Sequence, residues 1–63
     1  MRLNTTEILK KKILDAQEMV RDYESYSKEV RDSEVSDLFK EFAKESGYQA
    51  KKLRQLLKRI DND

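Results

Sequence analysis

Histidine, cysteine and proline are absent from this chain of 63 residues, and glycine occurs once, at position 47. Without cysteine, no disulfide can compensate for a small core. Without histidine and cysteine, the usual zinc sites and the nucleophilic triads built on these residues are excluded. The near absence of both strong helix breakers favours uninterrupted helices.

Long apolar runs are also missing. No segment approaches the ~20 consecutive apolar residues needed to cross a bilayer, and the start, Met1 to Asn4, lacks the apolar stretch of a secretory signal. We therefore expect a cytoplasmic protein with no membrane partner. Positive and negative charges nearly cancel, giving a formal net charge of +1. Because dedicated nucleic-acid binders are strongly basic, we do not expect nucleic acid as a partner.

What the chain does have is two stripes of apolar or small residues whose spacing alternates between four and three. This spacing keeps one side of a helix facing a partner. It predicts an all-α fold: a single antiparallel helical hairpin over 1–63, with helix 1 at about 5–31, a turn at about 32–33 and helix 2 at about 34–60. The first stripe comprises Leu9, Ile13, Ala16, Val20, Tyr23, Ser27 and Val30, and the second Val35, Phe39, Phe42, Ser46, Gln49, Leu53, Leu56 and Ile60.

Polar residues at the predicted helix starts support these bounds. Asn4 is suited to cap helix 1, with Glu7 three positions on as in a capping box. Asp32 or Ser33 is suited to cap helix 2. A turn near Asp32 pairs residues whose numbers sum to about 65, which brings Tyr23 close to Phe42.

One helix–helix seam is too little to stabilise such a chain alone, because ordering costs about 1.5 kcal/mol per residue. Further apolar residues widen the stripe beyond a two-helix seam, so we expect two copies to associate as a symmetric dimer, a four-helix bundle. These flanking residues are Leu14, Met19, Tyr26, Leu38 and Leu57.

The charges suggest how the two copies are oriented. Basic residues gather at the open end of the hairpin and acidic residues at the turn end, so an antiparallel dimer sets acid beside base. The basic residues are Lys10, Lys11, Lys12, Lys51, Lys52, Arg54, Lys58 and Arg59, and the acidic ones are Glu24, Glu29, Asp32, Glu34, Asp37 and Glu41. Each surface pair contributes about 0–1 kcal/mol, but several act together.

Several core and turn positions resemble one half of a ferritin-like, rubrerythrin-type bundle, over roughly residues 8 to 60. These positions are Leu14, Asp15, Ala16, Tyr23, Asp32, Ser33, Glu34, Val35, Leu38, Phe39, Glu41, Ala43, Glu45, Ala50, Leu53, Leu56 and Leu57. In that family each helical pair supplies a Glu and a Glu-x-x-His motif to a di-metal centre. The resemblance places Ala16 (or Gln17, one residue along) at the Glu position, and Ser46 and Gln49 at the motif. It therefore implies a bundle without metal ligands, since neutral Ser and Gln are poor ligands for iron or manganese.

Three alternatives remain open at the level of the sequence. Ser46 and Gln49 form either a buried hydrogen-bonded layer that fixes register or a solvated edge of the stripe. Carboxylates such as Glu18, Asp22 and Glu45 would make a metal-binding protein, an oxidoreductase or a metal store, if they met across a dimer. The basic end would suit a nucleic-acid accessory protein, although no aromatic residue is interleaved there for base stacking.

We predict a non-enzymatic protein with no cofactor and no bound metal, whose work is interaction or regulation. Its expected partners are a second copy of itself, as a homodimer or higher assembly, and another helical protein bound through an exposed helical face.

Overall fold

The computed structural model describes residues 4–61, which form two α-helices. Helix α1 spans Thr5–Glu29 and helix α2 spans Ser33–Asp61. The predicted bounds differ from these by at most two residues, and the predicted all-α hairpin is confirmed. Within 4–61 neither helix has a stretch long and apolar enough to span a membrane.

Each helix begins at a polar cap. The Oδ1 atom of Asn4 accepts a hydrogen bond of 2.8 Å from the backbone N–H of Glu7. Of the two predicted caps for α2, Asp32 takes the role: its Oδ1 accepts from the N–H of Glu34 at 2.9 Å and of Val35 at 3.2 Å. These bonds satisfy donors that a helix start leaves free, which explains why both starts were readable in the sequence.

Two serines join the end of α1 to the beginning of α2. The hydroxyl of Ser36 donates to the backbone oxygen of Ser27 at 2.7 Å, and the hydroxyl of Ser27 donates to the backbone oxygen of Glu24 at 2.7 Å. The last four carbonyls of a helix lack intrahelical partners. Ser36 therefore satisfies one of them from the other helix and fixes the approach of the two helices beside the turn.

Aromatic packing fills the seam next to these serines. The ring of Tyr23 lies 5.4 Å from that of Phe39 and 5.3 Å from that of Phe42, in tilted and edge-on arrangements. Such geometries are favoured for aromatic pairs. The predicted contact between Tyr23 and Phe42 is confirmed.

Small residues form the middle of the seam. Ala16, Ala43, Ser46 and Ala50 are buried there. A Cβ atom added at Gly47 would lie 3.8 Å from Cγ2 of Val20, an ordinary van der Waals contact. Short side chains of this kind let the two helix backbones approach closely.

The packing side of α2 corrects part of the predicted stripe. Gln49 and Leu56 were expected between the helices, and both are exposed. Ala43 and Ala50 are buried instead, and Leu57 is half-buried beside them. In a 4–3 repeat the position three residues on and the position four residues on are both candidates for the seam. Ala43, Ala50 and Leu57 are spaced by seven, so once the alanines take the seam Leu57 lies on the same side and Gln49 and Leu56 do not.

Of the other flanking residues, Leu14 is the most exposed large apolar side chain among the described residues, at 62%. It lies nearly opposite the seam, since two residues before Ala16 is a turn of about 200°.

Candidate interaction surface

Five large apolar side chains are exposed in two rows on one broad side of the hairpin. In α1 they are Ile8, Met19 and Tyr26, and in α2 they are Leu38 and Leu56. Residues spaced by 11 and by 7 return to within about 20° of one line on an α-helix. Ile8, Met19 and Tyr26 have this spacing, so they form one row. We call these five residues the apolar face.

The row in α2 has the same spacing, with Gln49 standing between Leu38 and Leu56. A shallow groove runs between the two rows and is lined by Met19, Tyr23, Phe42, Glu45, Ser46 and Gln49. The half-buried Phe42 ring lies in this groove. The predicted flanking residues Met19, Tyr26 and Leu38 therefore share a surface with residues of the α2 stripe that the hairpin leaves outside its seam.

Charged side chains border the apolar face, and their sign changes along α2. Glu34 and Glu41 line a groove with Leu38 near the turn. Lys52 and Arg59 line a groove with Leu56 near the open end. The edge of α2 thus runs from acidic to basic over the length of the face. We call these four charged residues the rim.

Both ion pairs found among residues 4–61 involve Asp15. Its Oδ2 lies 3.3 Å from the Nζ atoms of both Lys11 and Lys12. The hydrogen bond from Lys11, with a second from Lys12, holds the pKa of Asp15 below its usual value. Asp15 therefore stays ionised at the edge of the apolar face, in the gap between Ile8 and Met19.

Of the three positions that the ferritin-like resemblance assigns to metal ligands, two are buried and one is exposed. Ala16 and Ser46 are buried, whereas Gln49 reaches solvent, so Ser46 and Gln49 do not form a buried polar layer within one hairpin. Over residues 4–61, no group of three His, Cys, Asp or Glu side chains is placed to hold a metal ion. Glu18, Asp22 and Glu45 are accordingly not brought together in a single chain.

The predicted basic end is split between opposite sides of the hairpin. Lys12 and Lys52 line a groove with Leu53 on the side of the apolar face. Arg54 lines a groove on the other side, together with Arg21, which was not part of the predicted basic end. This division could not be read from the sequence until the seam was located.

The fold and this surface define a class: a small all-α hairpin whose prominent feature is an uncovered apolar side rather than an enclosed pocket. Comparison with protein-family models, curated proteins and solved structures gives no match. The ferritin-like relationship therefore stays a prediction, and function has to be argued from the surface.

Proposed function

We propose that this protein is a non-enzymatic interaction module that binds a second copy of itself through the apolar face, as an antiparallel four-helix dimer. The observation that carries this proposal is the five large apolar side chains exposed together on one side of the hairpin. Contiguous exposed apolar surface of this kind is typical of protein–protein contact sites. A second copy laid on the face gives Ile8, Tyr26, Leu38 and Leu56 apolar neighbours, while Met19 comes level with Asp15 of the second copy.

The small core of the single hairpin supports the need for a partner. Among the described residues the buried apolar side chains are Ile13, Ala16, Ala43 and Ala50, and no side chain is fully buried. Together with half-buried side chains such as Phe39 and Phe42, these four offset only part of the ordering cost of about 1.5 kcal/mol per residue. Further apolar burial at about 25 cal/mol per Å² would supply stabilisation that the hairpin lacks.

Two symmetric ways of stacking the faces differ in which helices meet. If the turns lie at opposite ends, α1 packs on α1 and α2 on α2 of the second copy. Ile8 then lies opposite Tyr26 of the second copy, and Leu38 lies opposite Leu56. If the turns lie together, α1 packs on α2 and Ile8 meets Leu56. Apolar contacts are available in both arrangements, so they do not select between them.

The rim charges favour the antiparallel arrangement. With the turns at opposite ends, Glu34 lies beside Arg59 of the second copy and Glu41 beside Lys52. With the turns together, Glu41 instead meets the neighbourhood of Asp22 and Lys52 that of Lys12, while Glu34 comes level with Arg31 and Arg59 with Glu7, so only two of the four rim charges meet the opposite sign. Each exposed pair contributes only about 0–1 kcal/mol. Several acidic residues that face several basic residues of the second copy still favour one orientation.

The polar middle of the face also suits self-association. In the antiparallel arrangement the Gln49 amide lies opposite the Glu45 carboxylate of the second copy and can donate to it. Such polar residues within an apolar interface fix register in helical assemblies. The result would be a ferritin-like bundle in which Ala16, Ser46 and Gln49 replace the metal ligands. The absence of histidine and cysteine from the sequence further supports a role without nucleophilic triads.

Analytical ultracentrifugation over a micromolar concentration series tests the proposal. We expect the wild-type chain to sediment as a dimer. The double substitution Leu38→Gln with Leu56→Gln should weaken association about tenfold or more, because it removes an apolar contact at both ends of the α2 row.

A control uses the most exposed large apolar side chain of the described residues, which lies off the apolar face. Leu14 is 62% exposed, so Leu14→Gln removes more exposed apolar surface than either single substitution of the face variant. This variant should dimerise as wild type does. A wild-type chain that stays folded and monomeric would overturn the proposal, and so would a control variant that dissociates as readily as the face variant.

A further inference from the structure

A row of cations lies on the side of the hairpin opposite the apolar face. Each of the five residues that define the apolar face, and Gln49 between them, is followed two positions later by Lys or Arg. Two residues turn an α-helix by about 200°, so these cations lie on the far side of each helix. They are Lys10, Arg21 and Lys28 in α1, and Lys40, Lys51 and Lys58 in α2. Arg54 lies among them, and we call these seven residues the basic face.

We propose that the basic face binds the phosphate backbone of a nucleic-acid duplex, without reading its sequence. This goes beyond self-association and does not depend on it, because the two surfaces lie on opposite sides of the hairpin. The formal net charge of +1 conceals the basic face. Glu24 is the carboxylate that lies between two of its cations, and Glu7, Glu18, Asp37 and Asp61 border it at one helical turn from a cation.

These cations are available to a ligand. Within residues 4–61, the ion pairs join Asp15 to Lys11 and Lys12, and none involves the basic face. All seven side chains are exposed. A shallow groove between the two helices opens on this side, lined by Gln17, Val20, Arg21, Gly47, Ala50 and Arg54. The single glycine of the chain thus lies where a bulky side chain would fill the groove.

The shape of the basic face favours a linear polyanion. In each helix the cations extend over 18 residues, which is about 27 Å at 1.5 Å per residue. Duplex DNA carries one charge per ~1.7 Å of its axis, so several phosphates lie within that length. Two parallel rows of cations can follow a charged backbone, and neutralising its phosphates releases counterions.

Other anionic partners fit the basic face less well. Helices that lie on a membrane surface carry a continuous apolar strip beside their cations, whereas here the exposed large apolar side chains near these cations are Leu14 and Tyr48, one in each helix at the outer edge. Single-stranded nucleic acid is held by successive bases stacking on several aromatic side chains, whereas one exposed aromatic residue, Tyr48, lies near these cations, with Nζ of the rim residue Lys52 5.6 Å from its ring centroid. What remains is contact with the backbone of a duplex, which positions a protein without specifying a sequence.

Fluorescence anisotropy with a labelled 20-base-pair DNA duplex, at several salt concentrations, tests the proposal. We expect micromolar binding at low salt, the same for two unrelated sequences. The logarithm of the binding constant should fall linearly with the logarithm of the salt concentration, with a slope of about −3 or steeper, since each neutralised phosphate contributes about −0.9.

Two variants that each remove two positive charges from the open end of the hairpin separate this face from overall charge. Lys51→Gln with Arg54→Gln should weaken binding about tenfold and flatten the salt slope. Lys11→Gln with Lys12→Gln, on the other side, should stay within about twofold of wild type. Circular dichroism should show both variants helical, because all four side chains are exposed.

Three outcomes would overturn the proposal: no binding to the duplex at low salt, equal weakening by both double variants, or binding to phosphatidylserine vesicles without binding to the duplex. Equal weakening would show that net charge alone is responsible. Binding to vesicles alone would assign the basic face to a membrane surface.

Discussion

At the scale of single residues, short side chains decide how closely the helices approach. Ala16, Ala43 and Ala50 are buried, and Gly47 faces Val20 across the seam. Larger side chains at the buried positions would push the backbones apart. Gly47 differs from the alanines, because the structure leaves room for a methyl group there.

Gly47→Ala is expected to stabilise the protein. The added Cβ would lie 3.8 Å from Val20 Cγ2, an ordinary contact, and Gly47 does not have a positive φ angle. Replacing a helical glycine by alanine contributes about 0.5–1 kcal/mol, which raises the melting temperature of a chain of this size by about 4 °C. Thermal unfolding followed by circular dichroism measures the shift.

The reverse exchange at Ala50 serves as the control. Ala50 is 3% exposed, so Ala50→Gly should lower the melting temperature by several degrees through lost burial and added chain entropy. A melting temperature for Gly47→Ala at or below that of wild type would mean that position 47 requires glycine.

At the scale of the helices, the hydrophobic period was sufficient to identify α1 and α2 but not to orient α2. Phe39, Ser46, Leu53 and Ile60 belong to the packing side in both the prediction and the structure. The difference lies in which flank joins them. At each uncertain step the sequence offered two neighbours, Phe42 or Ala43, Gln49 or Ala50, and Leu56 or Leu57. The seam takes Ala43 and Ala50, and Leu57, seven residues after Ala50, lies on the same side, so Gln49 and Leu56 stay outside.

Phe42 links the two surfaces of α2, because its ring contacts Tyr23 and also lines the groove on the apolar face. Phe42→Ala should lower the free energy of unfolding by about 3 kcal/mol or more, which corresponds to a fall in melting temperature of more than about 10 °C. Tyr48→Ala is the matched control, since Tyr48 is 61% exposed and should change the melting temperature little. An unchanged melting curve for Phe42→Ala would show that this aromatic packing does not stabilise the protein.

At the scale of the whole molecule, the hairpin is a flat layer with extents of 47 × 24 × 12 Å. One broad side carries exposed apolar residues bordered by charges of changing sign, and the other carries mostly cations. Stacking two copies on the apolar side would leave both basic faces outward. The two proposals are therefore compatible, and each can fail without the other.

Disulfide cross-linking distinguishes the two orientations of the dimer, because the chain contains no cysteine. We expect oxidation of an equimolar mixture of Ile8→Cys and Tyr26→Cys chains to give a mixed dimer, since these positions lie opposite one another when the turns are at opposite ends. A mixture of Ile8→Cys and Leu56→Cys chains should not cross-link. Disulfides require Cα atoms within about 7 Å, so the reverse result would place the turns together.

The sequence could anticipate part of the candidate surface. Met19, Tyr26 and Leu38 were recognised as flanking residues, since they are apolar and adjacent to the stripe in helical spacing. Ile8 was not, because it lies outside both stripes and before the residues that define their period. The basic face was missed as a surface, because its members were grouped by position along the chain rather than by direction around each helix.

The sequence by itself determined the two helices, their starts and the pairing near the turn, because caps, helix propensity and hydrophobic period act over a few neighbouring residues. Only the tertiary structure decided which flank of α2 became the inside. That choice depends on how closely two backbones can approach, which is a property of both helices together. Once the packing side of α2 is set, the helical rotation of about 100° per residue places the apolar residues on one side of the hairpin and the cations on the other.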